Sequence, residues 1–335
     1  MVARAHGAAV MNRDRDLPHG AGKEALVDIA GLTLRRDGVA VLDEVSFEIA
    51  PNETVGLVGE SGAGKSTLAL ALAGLIGPPE VEIAGAMRFE GIDLTRLDDR
   101  GWRGLRGRRI AMIFQDAGAA LNPCFTVGQH FRYPLRHGLG LGRRQARSRA
   151  IDLLQSVGLN DAEARLGAYP HELSGGMQQR VMIGLALAGE PDLLLADEPT
   201  SALDVTIQAQ IVGLILARTR DSGSSCVFVL HDLALASQAC QRIVVLYAGQ
   251  VMEMGTSRTL LERPLHPYTQ ALRSCVAEFD TDLLEPPPGG SPSLSAMPAG
   301  CRFAPRCPRA TERCRTDRPP LIESEGRSVA CWHPG

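Results

Sequence analysis

The residues best suited to chemistry fall into three groups. The first is Gly59-Glu-Ser61-Gly62-Ala63-Gly64-Lys65-Ser66-Thr67, which fits G-x-x-x-x-G-K-[ST]. Glycines at this spacing let consecutive backbone N–H groups turn inward around phosphate oxygens, and a helix starting near Lys65 adds its positive end. Lys65 supplies a compact ammonium for β and γ phosphates, and Ser66 a hydroxyl for Mg²⁺. Of the 35 basic residues only Lys23 and Lys65 are lysines. A chain that otherwise uses arginine thus has lysine where a broad, planar guanidinium would not serve as a point charge. The second group is Asp197-Glu198, which ends the apolar run Leu193-Leu-Leu-Ala196. Two acids at the carboxyl edge of a buried strand stand where α/β proteins bind ligands. Asp197 reads as a holder of Mg²⁺ through water, and Glu198 as the base that polarises an attacking water. The third group is Cys301, Cys307, Cys314 and Cys331, half of the chain's eight cysteines, within its last 35 residues.

The elements around these groups follow from patterning. Residues 1–23 mix Gly, Ala, His, Arg and Asp without periodicity and read as a disordered tail. Ala25–Leu34 and Val39–Ile49 alternate apolar and polar residues, with Arg35-Arg36-Asp37-Gly38 as the turn between two half-buried strands. Thr54–Val58 is a short apolar run that meets the glycine loop, and a helical pattern over Leu68–Ile76 follows it; strand, glycine loop and helix begin a βαβ unit. Residues 95–180 carry many Arg and Gly residues and several helical patterns, such as Arg143–Val157. From Val181 to Val251, the runs Leu193–Ala196, Cys226–Leu230 and Ile243–Leu246 alternate with helical segments, as in a parallel sheet. The expected architecture is α/β with an inserted helical block. The last fifty residues hold ten of the 21 prolines and few apolar runs, so they need a source of order other than their own core.

Composition excludes several classes. The chain has 335 residues, 38 acidic residues and a net charge of −3, which argues against binding nucleic acid by bulk electrostatics. No run approaches the roughly 18 apolar residues of a membrane span, and no apolar stretch follows Arg4 as in a secretory signal. These readings place the chain in the cytoplasm.

Leu173-Ser174-Gly175-Gly176-Met-Gln178-Gln-Arg180, just ahead of Asp197, resembles the signature sequence of ABC-transporter ATPases. The other family marks stand in order: Gln115 resembles the Q-loop glutamine, Ser201-Ala-Leu-Asp204 the D-loop, and His231 the switch histidine. The resemblance spans about residues 24–260. It implies a P-loop NTPase ABC cassette: a RecA-like core with an antiparallel β subdomain over residues 24–262 and a helical subdomain over about 116–180. On the residues' own terms, Ser174, Gly175 and Gly176 open a helix and form a second anion-binding end, which is expected to face the nucleotide of another subunit. The resemblance implies the same: two cassettes, identical or homologous, sandwich two ATPs, with Ser174, Gly175, Gly176, Gln178 and Asp204 at that interface. It also assigns His231 to the γ-phosphate and to Glu198, and Gln115 to Mg²⁺ and the catalytic site. Such cassettes usually stack an aromatic on adenine; the hairpin here offers Arg35 and Arg36. Either Arg36 (or Arg35) stacks its guanidinium on the base, or both are solvated turn residues.

A narrower resemblance rests on Ile113-Phe-Gln-Asp116, Leu121-Asn-Pro123, Tyr169-Pro-His-Glu-Leu-Ser174, Ala196–Val205 and His266-Pro-Tyr-Thr269. These strings are similar to the ATPase subunits of oligopeptide, dipeptide and nickel importers. The group commonly has a proline where this chain reads Ala117-Gly118, in the segment that should face the membrane subunit. The resemblance implies a peripheral protein on the cytoplasmic face of the membrane. Its partners would be two transmembrane permease subunits and, indirectly, an extracytoplasmic substrate-binding protein, with peptides as the cargo. The competing readings are a soluble, non-transport ABC ATPase and an importer of nickel or another small solute. Two fused cassettes or a coiled-coil insert would favour the soluble class, and the sequence has neither.

Residues 263–335 form the expected C-terminal extension. Cytoplasmic thiols stay reduced, so a metal centre is the better source of order for Cys301, Cys307, Cys314 and Cys331. Their spacing lacks the C-x2-C pairs of ordinary zinc sites, whereas four thiolates suit an iron–sulfur cluster. Zinc and free thiols remain the alternatives. Cys301-Arg-Phe-Ala-Pro-Arg-Cys307-Pro also resembles the C-terminal motif of peptide-importer ATPases, a group that includes [4Fe–4S] members. Arg302, Arg306, Arg309, Arg313 and Arg315 are placed to offset an anionic cluster. Cys124, Cys226, Cys240 and Cys275 read as small buried hydrophobes.

Overall fold

The computed structural model describes residues 25–200, 205–274, 290, 292–293 and 297–335. The expected tail 1–23, the D-loop Ser201–Asp204 and Cys275 lie outside the described residues.

Alternating residues near the start build an antiparallel sheet. Strands β1 (Val27–Arg36) and β2 (Val39–Ile49) pair through an Asp37-Gly38 turn, so β1 runs two residues further than its alternation implied. Strand β3 (Thr54–Val58) belongs to the second sheet; β4 (Glu82–Phe89) and β5 (Ile92–Asp93) complete the first, in the order β2-β1-β4-β5. Val27 and Ile29 face the core, then Leu32 and Leu34 do. That switch of phase requires one extra residue, and the register slips between Ile29 and Leu32, where Gly31 has φ +58°.

The second sheet adds β6 (Ile110–Ile113), β7 (Leu193–Asp197), β8 (Ser225–Leu230), β9 (Arg242–Tyr247), β10 (Gln250–Thr256), β11 (Ile322–Ser324) and β12 (Arg327–Val329). Its order is β11-β12-β10-β9-β3-β8-β7-β6. The five strands β9, β3, β8, β7 and β6 run parallel, and β10, β12 and β11 follow antiparallel. Every residue of β7 and β8 is buried, because parallel strands are covered on both faces and therefore read as unbroken apolar runs. Alternate residues feed two cores. Val55, Leu57, Leu195 and Val229 pack toward the antiparallel sheet, whereas Leu194, Phe228, Leu230 and Val245 join the core shared with the helical block. That block includes the helices Val127–Arg132, Arg143–Ser156 and Gly175–Leu187, which bury Phe131, Leu154 and Ile183. The helical reading of 95–180 overlooked β6, whose four residues are too short to show a period.

The proline-rich end is ordered by the cassette. Its hairpin β11–β12 extends the central sheet, with Glu253 opposite Val329 and Met254 opposite Ser328. Arginines anchor it, Arg318 among them with Glu44 at 2.7 Å. Arg302 pairs with Asp43 at 2.6 Å, Arg306 with Glu60 at 2.8 Å, and Arg327 with Glu253 at 3.8 Å. Glu253 is fully buried and also accepts the N–H groups of Leu265 (2.9 Å) and His266 (3.0 Å). Cys226 and Cys240 are buried as expected, but Cys124 is exposed: its N–H donates to the Asn122 side chain in a turn that leads away from the core.

Removing one partner of a buried ion pair strands the other. We therefore expect Glu253→Ala to lower stability by about 3 kcal/mol, read by denaturant unfolding of the full chain. A loss under about 0.5 kcal/mol, the range of ordinary surface substitutions, would show that the hairpin is not held this way.

Candidate functional site

The site forms where three neighbouring parallel strands end. The loop Gly59–Gly64 follows β3 and opens the helix Lys65–Leu72, with Lys65, Ser66 and Thr67 as its first turn. Gly59 has no alternative: a Cβ there would lie 2.1 Å from the Leu246 carbonyl oxygen of β9. Ser61 and Gly62 are exposed, whereas Ala63, Gly64 and Lys65 are buried. The Lys65 ammonium donates to the carbonyl oxygens of Gly59 (2.7 Å) and Glu60 (2.9 Å). Burial lowers its pKa, against the opposing pull of Glu198, Asp197 and Glu60.

Strand β7 delivers the acids. Ser66 Oγ donates to Asp197 Oδ1 at 2.8 Å. Asp197 has its pKa raised by burial, while the Ser66 hydrogen bond works the other way. Glu198 has left-handed backbone (φ 43°), which costs a non-glycine residue on the order of 1 kcal/mol or more, and its N–H donates to Val229 O of β8 (3.2 Å). Its carboxylate meets two further residues. Gln115, two residues beyond β6, donates Nε2 to Oε2 at 2.8 Å, and His231, directly after β8, lies 2.5 Å from Oε1. His231 Nδ1 is in turn 3.4 Å from Lys65 Nζ. Lys65, Ser66, Asp197, Glu198, Gln115 and His231 thus form one connected set. It joins a cation next to a polyphosphate cradle, a hydroxyl–carboxylate oxygen pair that suits a hard divalent ion, and a carboxylate supported by an amide and an imidazole. That is the equipment for phosphoryl transfer to water.

Other sequence-predicted residues lie elsewhere. Ser174 caps the helix Gly175–Leu187, accepting the Met177 N–H at 3.4 Å; Ser174 and Gly175 are exposed, and Gln178 turns back to Pro170 O at 2.8 Å. The hydrogen bonds of Ser174 and Gln178 stay within the helical block. Arg36 is exposed at the hairpin tip, and Arg35 donates to Gly38 O. Asp204 lies outside the described residues. Sequence reasoning missed Gln179, which is buried and donates to Pro199 O at 2.7 Å, tying the signature helix to the residue after Glu198.

The four late cysteines line one cavity, together with His266, Arg309 and Trp332. Burial raises the thiol pKa values of Cys301 (to about 11), Cys307 and Cys331, and the neighbouring thiols add to each rise. Among the described residues, no group of three or more His, Cys, Asp or Glu side chains stands in metal-holding geometry. The surrounding arginines also depart from expectation. Arg302 and Arg306 reach away to Asp43 and Glu60, Arg313 stacks 3.4 Å from the Trp332 ring centroid, and Arg315 pairs with Glu312. Arg309 is the one of the five that lines the cavity.

Comparison with known proteins agrees with this geometry. The ABC transporter family matches residues 42–201, and the oligopeptide/dipeptide transporter C-terminal region matches residues 252–314. The dipeptide transport ATP-binding protein DppD of Escherichia coli (strain K12) is 47% identical over 296 residues, covering 88% of this chain and 90% of that protein. The oligopeptide transport ATP-binding protein AppD of Bacillus subtilis (strain 168) is 42% identical over 302 residues, covering 89% of this chain and 92% of that protein. A solved ATP-binding cassette, dimeric and bound to ADP and Pi after hydrolysis, superposes with a TM-score of 0.62 at 30% identity. It covers 69% of this chain and 99% of its own.

The cavity carries a pH signature. His266 is fully buried, accepts the Tyr268 N–H on Nδ1 (3.0 Å), and has its pKa pushed down to about 3, by burial first and by Arg309 second. The unfolded chain therefore takes up a proton before the folded one, so this stability is intact above about pH 6.5 and is lost as pH falls toward 3. From pH 7 to pH 5 we expect the wild-type chain to lose about 2 kcal/mol more than His266→Asn, measured by denaturant unfolding at both values. Equal losses would contradict the assignment.

Proposed function

The chain belongs to the ABC transporter family, in its oligopeptide/dipeptide branch, and on that premise we propose that it hydrolyses ATP to power peptide import. The observation that carries this is the connected set Lys65–His231–Glu198–Gln115 beside Ser66–Asp197, built at the ends of β3, β7 and β8. The loop Gly59–Thr67 receives the triphosphate. Lys65 exchanges the carbonyl oxygens of Gly59 and Glu60 for phosphate oxygens, which satisfy the buried ammonium at least as well. Ser66, Asp197 and Gln115 are the residues that would hold Mg²⁺, which supplies charge neutralisation on the phosphates. Glu198 accepts a proton from the attacking water, and His231 and Gln115 hold its two carboxylate oxygens in place. The helix start at Ser174, Gly175 and Gly176, exposed at its first two residues, binds the nucleotide of a second cassette, as expected of a dimer.

Among the described residues no helix is long and apolar enough to cross a membrane. As in the importers that its relatives serve, the pore belongs to two permease subunits, on whose cytoplasmic side the chain sits peripherally. Closure of the cassette pair moves those subunits through the segment after Gln115, and hydrolysis reopens it. An extracytoplasmic binding protein delivers the peptide. With Glu198→Gln, ATP turnover by the assembled transporter should fall by about a hundredfold or more while MgATP binding persists. Turnover at the full rate would overturn the assignment.

We further propose that Cys301, Cys307, Cys314 and Cys331 hold a [4Fe–4S] cluster that staples the extension, with zinc as the alternative. The support is the convergence of four thiols on one cavity, where burial and mutual repulsion disfavour thiolates unless a cation compensates them. Anaerobically purified protein should be brown and contain equal amounts of iron and sulfide. Colourless protein replete with zinc would refute the cluster.

A further inference from the structure

The phosphate loop is held from outside its own motif. Arg306 is the last residue of the short helix Ala304–Arg306, one position before Cys307. Its Nη1 donates to both carboxylate oxygens of Glu60 (2.9 and 2.8 Å) and to Tyr247 Oη (3.2 Å). The guanidinium lies 5.7 Å from the Tyr247 ring centroid and 5.8 Å from that of Phe303, and the side chain is 9% exposed. From the helix Pro267–Ser274, Tyr268 accepts the backbone N–H of Glu60 at 2.8 Å. Tyr247, Tyr268 and Phe303 pack ring against ring at 4.6 to 5.3 Å, so this platform is rigid. A second link starts beside Cys301. Arg302 donates to Ala248 O, and the next residue, Gly249, donates its N–H to Ala63 O at 3.0 Å. The C-terminal extension therefore grips the loop at Glu60 and at Ala63, on both sides of the exposed Ser61 and Gly62.

Glu60 is the acid within a loop whose task is to receive a polyanion. Its carboxylate pulls on the Lys65 ammonium, and a free carboxylate there would compete with phosphate for that ammonium and repel the incoming charge. A guanidinium whose Nη1 meets both carboxylate oxygens offsets the charge and fixes its direction.

We propose that Arg306 is a positioning residue of the nucleotide site: by holding Glu60 aside, it keeps the loop open and electrostatically clear for ATP phosphates. The extension that carries the cysteines thus sets the affinity of the cassette for nucleotide. This rests on the reading of Gly59–Thr67 as the ATP site.

The test is a double-mutant cycle on the full chain, with MgATP affinity from titration calorimetry and KM and kcat from ATP turnover. Arg306→Ala should weaken MgATP binding about tenfold, the scale of one charge-assisted contact, and raise KM more than it lowers kcat. Adding Glu60→Gln to Arg306→Ala should restore affinity to within about threefold of wild type, since the repelling carboxylate is gone. A general loss of folding would not be rescued in this way. Arg306→Lys, which keeps the charge and most of the stem, replaces Arg306→Ala if the latter does not fold; its loss should be smaller and equally reversed by Glu60→Gln. Wild-type affinity in the Arg306 variant, or a double variant as weak as the single one, would overturn the proposal. Lys65→Ala separates the two readings. If it binds MgATP normally, the ATP site is wrongly assigned; if it abolishes binding while Arg306 variants bind normally, only the clamp fails.

Discussion

A buried ammonium must have oxygen partners, and much of this structure follows from meeting that demand at Lys65. Leaving such a charge without partners costs several kcal/mol. The loop meets the demand with the carbonyl oxygens of Gly59 and Glu60, which curls the backbone around the side chain, the turn that a phosphate nest is made of. The same curl brings Gly59 against Leu246 O, so the loop is seated on β9 as well as on β3. The ammonium is satisfied by partners that phosphate oxygens can displace.

Around this point the chain gathers residues that are far apart in sequence. The strand order β9-β3-β8-β7-β6 places the ends of β3, β7 and β8 side by side, with β6 beyond. Parallel pairing in register sets Asp197 opposite Val229 and Val58 opposite Leu230, so the acids after β7 and the histidine after β8 arrive next to the loop after β3. Glu198 has φ 43° there because the strand end is pinned by its N–H to Val229 O. The twisted backbone turns its carboxylate toward His231 and Gln115. Strain in the backbone is thereby exchanged for position in the side chain.

The placement of the site was legible in the sequence because each motif encodes a local geometry. The glycine loop, the two acids after Leu193–Ala196 and the histidine after Phe228–Leu230 stand within short strand-to-loop junctions, and those junctions occur where the runs predicted them. What stayed hidden depends on long-range partners. Nothing near Arg306 announces Glu60, and within the motif Glu60 occupies a position that any residue can fill. Nothing in the sequence marks the charged Arg327 and Glu253 as buried, and the hairpin β11–β12 offers three residues per strand, too few for alternation to show. Cys124 misled for the opposite reason: its apolar character suggested burial, but Asn122-Pro123 ahead of it turn the chain outward. The arginines around the late cysteines were read by proximity in sequence, whereas two of them serve the cassette instead.

The exchange of Lys65 from carbonyl to phosphate oxygens is the central event at this site. A crystal structure of the full chain with a bound, non-hydrolysable MgATP analogue tests this most directly. Lys65 Nζ should leave Gly59 O and Glu60 O for the phosphate oxygens, Ser66 Oγ should turn from Asp197 to the metal, and Glu60 should stay on Arg306. A nucleotide bound elsewhere, or Lys65 still on its carbonyl partners with phosphate present, would contradict it.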